Sequence, residues 1–249
     1  MTRVAFLRML FIVLGIAIVE GLCRSGIIPA MVLPAPSQIA ASLYALLQAG
    51  TFTQAIVSTF ASVAIAALIS IAAGILIGVS VHRQQRLRAI VAPILDSYYA
   101  VPTFLFYPIL ILFLGVGRAA IVGIAVIMAV ASMIIATLNG LDAVPRVQKR
   151  TARILRLNEV QTAFHVTLPS AMPYLFTGIK LTIAYAFIGV IASEFIMSGN
   201  GIGYEISNAY NTFDNQTMYG LMLLVIIVVC VVNGLMQWFD VRLHARRTR

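Results

Sequence analysis

The chain has 249 residues, of which 61% are hydrophobic and only 10% charged, against about 45–50% and about 25% in soluble globular domains. An ordinary water-soluble fold is excluded. The formal net charge of +9 does not point to nucleic acid, because the basic residues lie in short polar stretches between long uncharged runs, not together on one exposed face.

A membrane-spanning helix takes about 20 apolar residues, and six such runs follow one another. The first extends from Phe6 to Leu22. Arg3 and Arg8 near its start give it the look of a secretory signal, but Glu20 and Leu22 stand where small residues would precede a cleavage site, so it reads as a retained helix. The second run, Gln54 to Val81, carries Ser70, Gly74 and Gly78 at every fourth position, a seam that lets a neighbouring backbone come close within one subunit. The third, Ile90 to Leu114, contains Pro93, Pro102 and Pro108. Each proline removes a backbone donor where no water replaces the bond, so this span must bend and lean on neighbours or line a cavity. The fourth run is Ala119 to Leu141, and a polar stretch from Asp142 to Asn158 follows it. Tyr174 to Met197 and Tyr219 to Phe239 form the fifth and sixth.

With six spans, 14 of the 17 Lys and Arg residues fall on one side and only Arg24 and Arg118 on the other, while Lys180 stands at a boundary. Cytoplasmic connections hold the excess of basic residues, so both termini are expected in the cytoplasm.

No enzyme constellation is present in the sequence. Cys23 and Cys230 lie at opposite ends and read as small hydrophobes. His82, His165 and His244 occupy three separate stretches with no ligand spacing between them, which argues against a metal site. There is no Gly-rich phosphate loop, no Gly-x-Ser-x-Gly elbow and no paired intramembrane Asp motif. Ionisable groups at membrane depth are few: Glu20, Asp96 and Glu194. No chain of acids crosses the midplane, which weighs against the main alternative, an ATP-independent secondary transporter or channel.

The segment from Arg150 to Pro169 is the most informative. Asn158 followed by Gln161 has the form of a capping box, so a short helix is expected to start at Glu159. Leu168-Pro169 is expected to end it. Val160, Ala163 and Phe164 give this two-turn helix an apolar edge, and a helix so short needs a partner surface.

That segment, with Pro173 and Gly178 after it, resembles the Glu-Ala-Ala loop of ATP-binding cassette (ABC) importer permeases. Leu33-Pro-Ala-Pro-Ser-Gln38, Val101-Pro-Thr-Phe104 with Tyr107-Pro108, Phe113-Leu-Gly-Val-Gly117, Ala192-Ser-Glu194 and Gly201-Ile-Gly-Tyr204 are similar to the nitrate, sulfonate and taurine branch, which includes permeases for thiamine precursors and riboflavin. Two positions depart from the pattern: Arg150 stands where the loop commonly begins with Glu, and Arg156 where it carries glycine. The resemblance implies an all-α, polytopic type I ABC importer permease fold with six transmembrane helices. It also implies a single domain over 1–249, with its core at about 52–240 and a coupling loop at 142–169.

By the same resemblance, Asn158, Glu159, Val160, Gln161, Ala163, Phe164 and His165 form the ATPase-coupling helix. Asp96, Tyr98, Tyr99, Thr103 and Glu194 are the expected polar groups of the translocation path. The outer loop after Met197, with Asn200, Tyr204, Asn208, Tyr210, Asn211 and Asp214, is expected to meet a binding protein. The implied partners are ABC ATPase subunits, a second permease, either another copy of this chain or a sister permease, an extracytoplasmic substrate-binding protein and the lipid bilayer of a bacterial inner membrane. No cofactor is expected in this chain, ATP being bound by the partner subunit. The substrate class implied is a small organic or inorganic anion or a vitamin precursor.

Overall fold

The structure, a computed structural model, describes residues 2–98 and 101–245. Every element among the described residues is helical. In chain order these are α1 (Thr2–Arg24), α2 (Pro36–Ala49), α3 (Thr53–Arg83), α4 (Gln85–Tyr98), α5 (Tyr107–Leu114) and α6 (Arg118–Asp142). There follow α7 (Arg146–Ile154), α8 (Glu159–Thr162), α9 (Leu168–Met197), α10 (Ile202–Asn211) and α11 (Asn215–Ala245). A 3-10 turn over Thr103–Phe106 precedes α5, and a π turn over Ala163–Thr167 joins α8 to α9.

Among the described residues, five stretches are long and apolar enough to cross a bilayer: Phe6–Arg24, Thr53–Arg83, Arg118–Asp142, Glu159–Ile196 and Asn215–Trp238. They correspond to the first, second, fourth, fifth and sixth apolar runs. The third run departs from expectation, because it is not one bent helix but α4 and α5 with a break between them. Pro93 lies inside α4, Pro102 directly precedes the 3-10 turn, and Pro108 stands in the first turn of α5. Only Pro102 coincides with the interruption; Pro108 begins a helix, where its missing N–H would be unpaired anyway. At 14 residues, α4 is about 21 Å long, and a hydrocarbon core of about 30 Å exceeds either half.

The core forms where α6 lies between α3 and α9. Lipid offers no hydrophobic reward for helix association, so close van der Waals approach must supply it. Small residues make that approach possible. A Cβ on Gly74 would lie 2.5 Å from Met133 Cβ, and one on Gly78 2.7 Å from Thr137 Cβ, which places the four-residue seam of α3 against α6. On the other side, a Cβ on Gly189 would lie 2.6 Å from Ala125 Cα. Ala125, Ala129 and Ala186 are fully buried in this seam. The hydroxyls of Ser132 and Thr182 share a hydrogen bond of 3.1 Å between α6 and α9.

Two helices, α2 and α10, lie outside the six apolar runs. Pro36 opens α2, Gln38 Oε1 accepts from Ala35 N at 3.2 Å, and Gly50 closes the helix with φ 67. The stretch after Met197, read as a loop, contains α10, whose Ile202, Ile206 and Ala209 are buried against Met218 and Leu221 of α11. Asp214 Oδ1 accepts from Thr217 N at 3.1 Å and caps α11.

Candidate coupling helix and translocation groups

The capping box forms as its spacing demands: Asn158 Oδ1 accepts from Gln161 N at 2.7 Å, and Gln161 Oε1 accepts from Asn158 N at 3.0 Å. Glu159 stands in the first turn, where the helix dipole favours an anion. The far end differs from expectation. Pro169 does not stop the helix, which continues from Glu159 to Ile196. The π turn explains why: Leu168 N–H reaches Ala163 O, five residues back, so the bonding register slips by one residue just before Pro169, which has no N–H to contribute. The short helix is therefore the extended end of α9 itself, continuous with it through the π turn.

Val160 and Phe164 are 64% and 65% exposed, and Glu159, Gln161, Ala163 and His165 are exposed with them. His165 Nδ1 lies 3.0 Å from Gln161 O. The apolar edge of the short helix thus has no cover from the rest of the described chain. Just before it, α7 ends in a tight turn in which Arg156 N donates to Arg153 O and Leu157 N to Ala152 O, both at 3.0 Å. Arg156 adopts φ 52 there, the left-handed conformation that glycine takes without strain. Arg156 holds it with a side chain in place.

Among the described residues, the expected path groups Tyr98, Thr103 and Glu194 each have different surroundings. Tyr98 donates its hydroxyl to Ile127 O on α6, and Thr103 is buried in the 3-10 turn. Tyr99 and the side chain of Asp96 lie outside the described residues. Glu194 is 1% exposed and sits at the amino end of α10. Gly203 N donates to its Oε2 at 3.1 Å, and Thr59 Oγ1 on α3 donates to the same oxygen at 2.8 Å. Thr59 Oγ1 in turn accepts from Ile202 N at 2.8 Å. A carboxylate at this depth is costly without such donors. Gly201, at φ 110, makes room: a Cβ there would be 2.2 Å from Glu194 Cδ. Sequence reasoning missed Thr59, which nothing in an uncharged run distinguishes. It also missed α10, although Ile202, Ile206 and Ala209 already carry a helical period.

At the ends of the helices, polar ties fix the bundle. Glu20 accepts from Arg24 Nε at 2.6 Å and from Ser37 N at 2.9 Å, joining α1 to the first turn of α2. Arg88 grips Asp142 with both terminal nitrogens, joining α4 to the end of α6, and this contact holds its guanidinium above the ordinary range.

Residues 70–249 match the family model described as binding-protein-dependent transport system inner membrane component. The chain belongs to that family. It is 32% identical over 169 residues to the nitrate import permease protein NrtB of Leptolyngbya laminosa, a match covering 68% of this chain and 59% of the relative. With the bicarbonate transport system permease protein CmpB of Synechococcus elongatus it shares 30% identity over 78% of this chain and 68% of the relative. An inward-facing structure of the MetNI methionine ABC transporter has a similar fold, at a TM-score of 0.68 and 16% identity over 77% of this chain and 95% of that one. This inner membrane component therefore has the fold of ABC importer permeases.

Proposed function

We propose that this chain is the permease subunit of a bacterial ABC importer for a small anion, carrying substrate through a path built with a second permease copy and driven by separate ATPase subunits. The observation that carries the reading is the capped helix at Asn158, whose exposed Val160 and Phe164 need cover that family membership explains as an ATPase. ATP is bound and hydrolysed by that partner. The rigid continuation of the short helix through the π turn into α9 supports its use as a lever, since a push on Glu159 or Phe164 displaces a whole span. Closure of the ATPases then moves the bundle as a rigid-body switch between inward-open and outward-open states.

A binding protein outside delivers the substrate to the face formed by α10, where Asn208, Tyr210, Asn211 and Asp214 are exposed. The permease names of the nitrate and bicarbonate relatives support a small oxyanion as cargo. Asp96 and Tyr98 in the last turn of α4 and Thr103 in the 3-10 turn beyond it, with Tyr99 by sequence, are assigned to the path, because irregular backbone at membrane depth is tolerated where it lines a cavity. Glu194 holds the outer end of the path in place through Thr59 and α10.

The test is the double replacement Glu159→Ala with Phe164→Ala in the assembled transporter. It should abolish substrate-stimulated ATP hydrolysis while membrane insertion and the amount of folded permease stay unchanged. Normal stimulated hydrolysis in that variant would remove the lever from the account.

A further inference from the structure

A cleft of about 570 Å³ opens between α3, the end of α6, α7 and the π turn. Its floor is apolar, formed by Ile75 and Val79 of α3 and Leu175 of α9, while Leu141 at the end of α6 lies level with the mouth, its carbonyl 3.4 Å from Lys149 Nζ. Its mouth carries Arg83, Lys149 and Arg153, with His82 beside them, against Glu159; Asp142, 3.3 Å from His82 Nδ1, is taken up by Arg88. Arg83 approaches Glu159 only to 3.9 Å, and both are largely exposed. The mouth therefore keeps an excess of positive charge. Ile75 lies seven residues before His82 on a continuous helix, so the floor reaches about 10 Å deeper than the mouth. That gradient, cations at the surface and hydrocarbon beneath, matches an amphiphile with an anionic head. A free anion would leave the floor bare.

A second feature agrees. Beside its basic residues, α7 has Val147 72% and Ile154 80% exposed, one face apart by seven positions, with Leu155 65% exposed next to them. An apolar stripe flanked by Lys and Arg is the composition of a helix lying at an anionic bilayer surface. Nothing in the coupling role of α8 requires these residues.

We infer that this cleft binds the phosphate head of an anionic phospholipid, whose chain lies along Ile75 and Val79 while Lys149, Arg153 and Arg83 hold the head. Since Glu159, Thr162 and Ala163 form one wall, the bound lipid braces the short helix against α3. Basic pockets between spans on the cytoplasmic side hold such headgroups elsewhere.

The experiment isolates the transporter, with its ATPase attached, from bilayers containing phosphatidylglycerol and phosphatidylcholine in equal amounts. Retained lipid is counted by native mass spectrometry. Phosphatidylglycerol should be retained in preference, by about fivefold for each cation engaged. Lys149→Gln with Arg153→Gln should erase most of that preference, while Lys149→Arg with Arg153→Lys should keep it. Equal retention of the two lipids by the native protein overturns the inference, as does an unchanged preference in the glutamine pair. Equal loss in both pairs overturns it too, because the effect would then be one of folding. Inorganic phosphate retained from phosphatidylcholine bilayers by the native protein, and not by the glutamine pair, would assign the site to a free anion. Lipid found only on permease stripped of its ATPase would place the ATPase in the cleft and exclude the lipid. Retention is read without transport, so its failure leaves the coupling reading intact.

Discussion

Arg156 holds a left-handed backbone, φ 52, despite its side chain. The turn that closes α7 needs a left-handed residue for its two bonds to Arg153 O and Ala152 O, and a residue with a Cβ pays about 1 kcal/mol or more to adopt it. Glycine also gains freedom in the unfolded chain, which offsets part of the benefit. Arg156→Gly should therefore raise stability by about 0.5–1 kcal/mol, seen as a higher melting temperature of the detergent-solubilised protein with stimulated ATP hydrolysis preserved. A lower melting temperature would mean that the arginine side chain supplies a contact worth more than the strain. Thr59 presents the opposite case, a residue whose single hydroxyl serves two partners. Thr59→Val would strip Glu194 of one donor and leave Ile202 N without its acceptor, at a cost of about 2–4 kcal/mol. Adding Glu194→Gln removes the buried charge, so the double variant should lose less than the two single losses combined. Strict additivity in thermal melts would show that the two side chains do not act together.

At the level of elements, the α3–α6–α9 layer depends on glycines whose absent Cβ atoms let backbones meet. Gly189→Val places its Cβ 2.6 Å from the Ala125 backbone, which cannot move aside as the tip of a flexible side chain can. Overpacking of this kind costs about 1–3 kcal/mol or more. The variant should give a smaller monodisperse peak on size-exclusion chromatography, whereas Gly199→Val, with nothing within 4 Å of its Cβ, should not. This layer was legible in the sequence because long uncharged runs and a four-residue small-residue period report directly on burial and close approach. The capping box at Asn158 was legible for the same local reason. The end of the short helix was not. The rule that proline terminates a helix presumes α bonding, and the π turn before Pro169 changes that register through residues whose side chains give no sign of it. In the third run, too, three prolines look alike in sequence, and only their position relative to a helix start separates the break at Pro102 from the harmless Pro108. The Thr59–Glu194 tie escaped because it joins residues 135 positions apart.

For the whole molecule, sidedness turns on α4 and α5. If the two together cross the bilayer, there are six spans, and the basic residues divide 14 to 2. If they enter and return on the same side, α6 starts from the cytoplasm and every later connection is inverted. The second connection, the amino end and Arg118 would then leave six cations in the cytoplasm, against ten outside. We propose a crossing, on the preference of Lys and Arg for cytoplasmic connections and on length: with the turn between them, α4 and α5 extend from Gln85 to Leu114, enough to traverse about 30 Å even when broken. The check uses a protein in which Cys23 and Cys230 are replaced by serine and single cysteines are introduced at Gln84 or Val116. Gln84 is exposed between α3 and α4, and Val116 is 76% exposed between α5 and α6. A membrane-impermeant maleimide applied to intact spheroplasts should label Val116→Cys and spare Gln84→Cys until the membrane is permeabilised. Labelling of both from the same side would turn α4 and α5 into a re-entrant pair. The short helix at Asn158 would then face away from any cytoplasmic ATPase, and the coupling reading would fail with the topology.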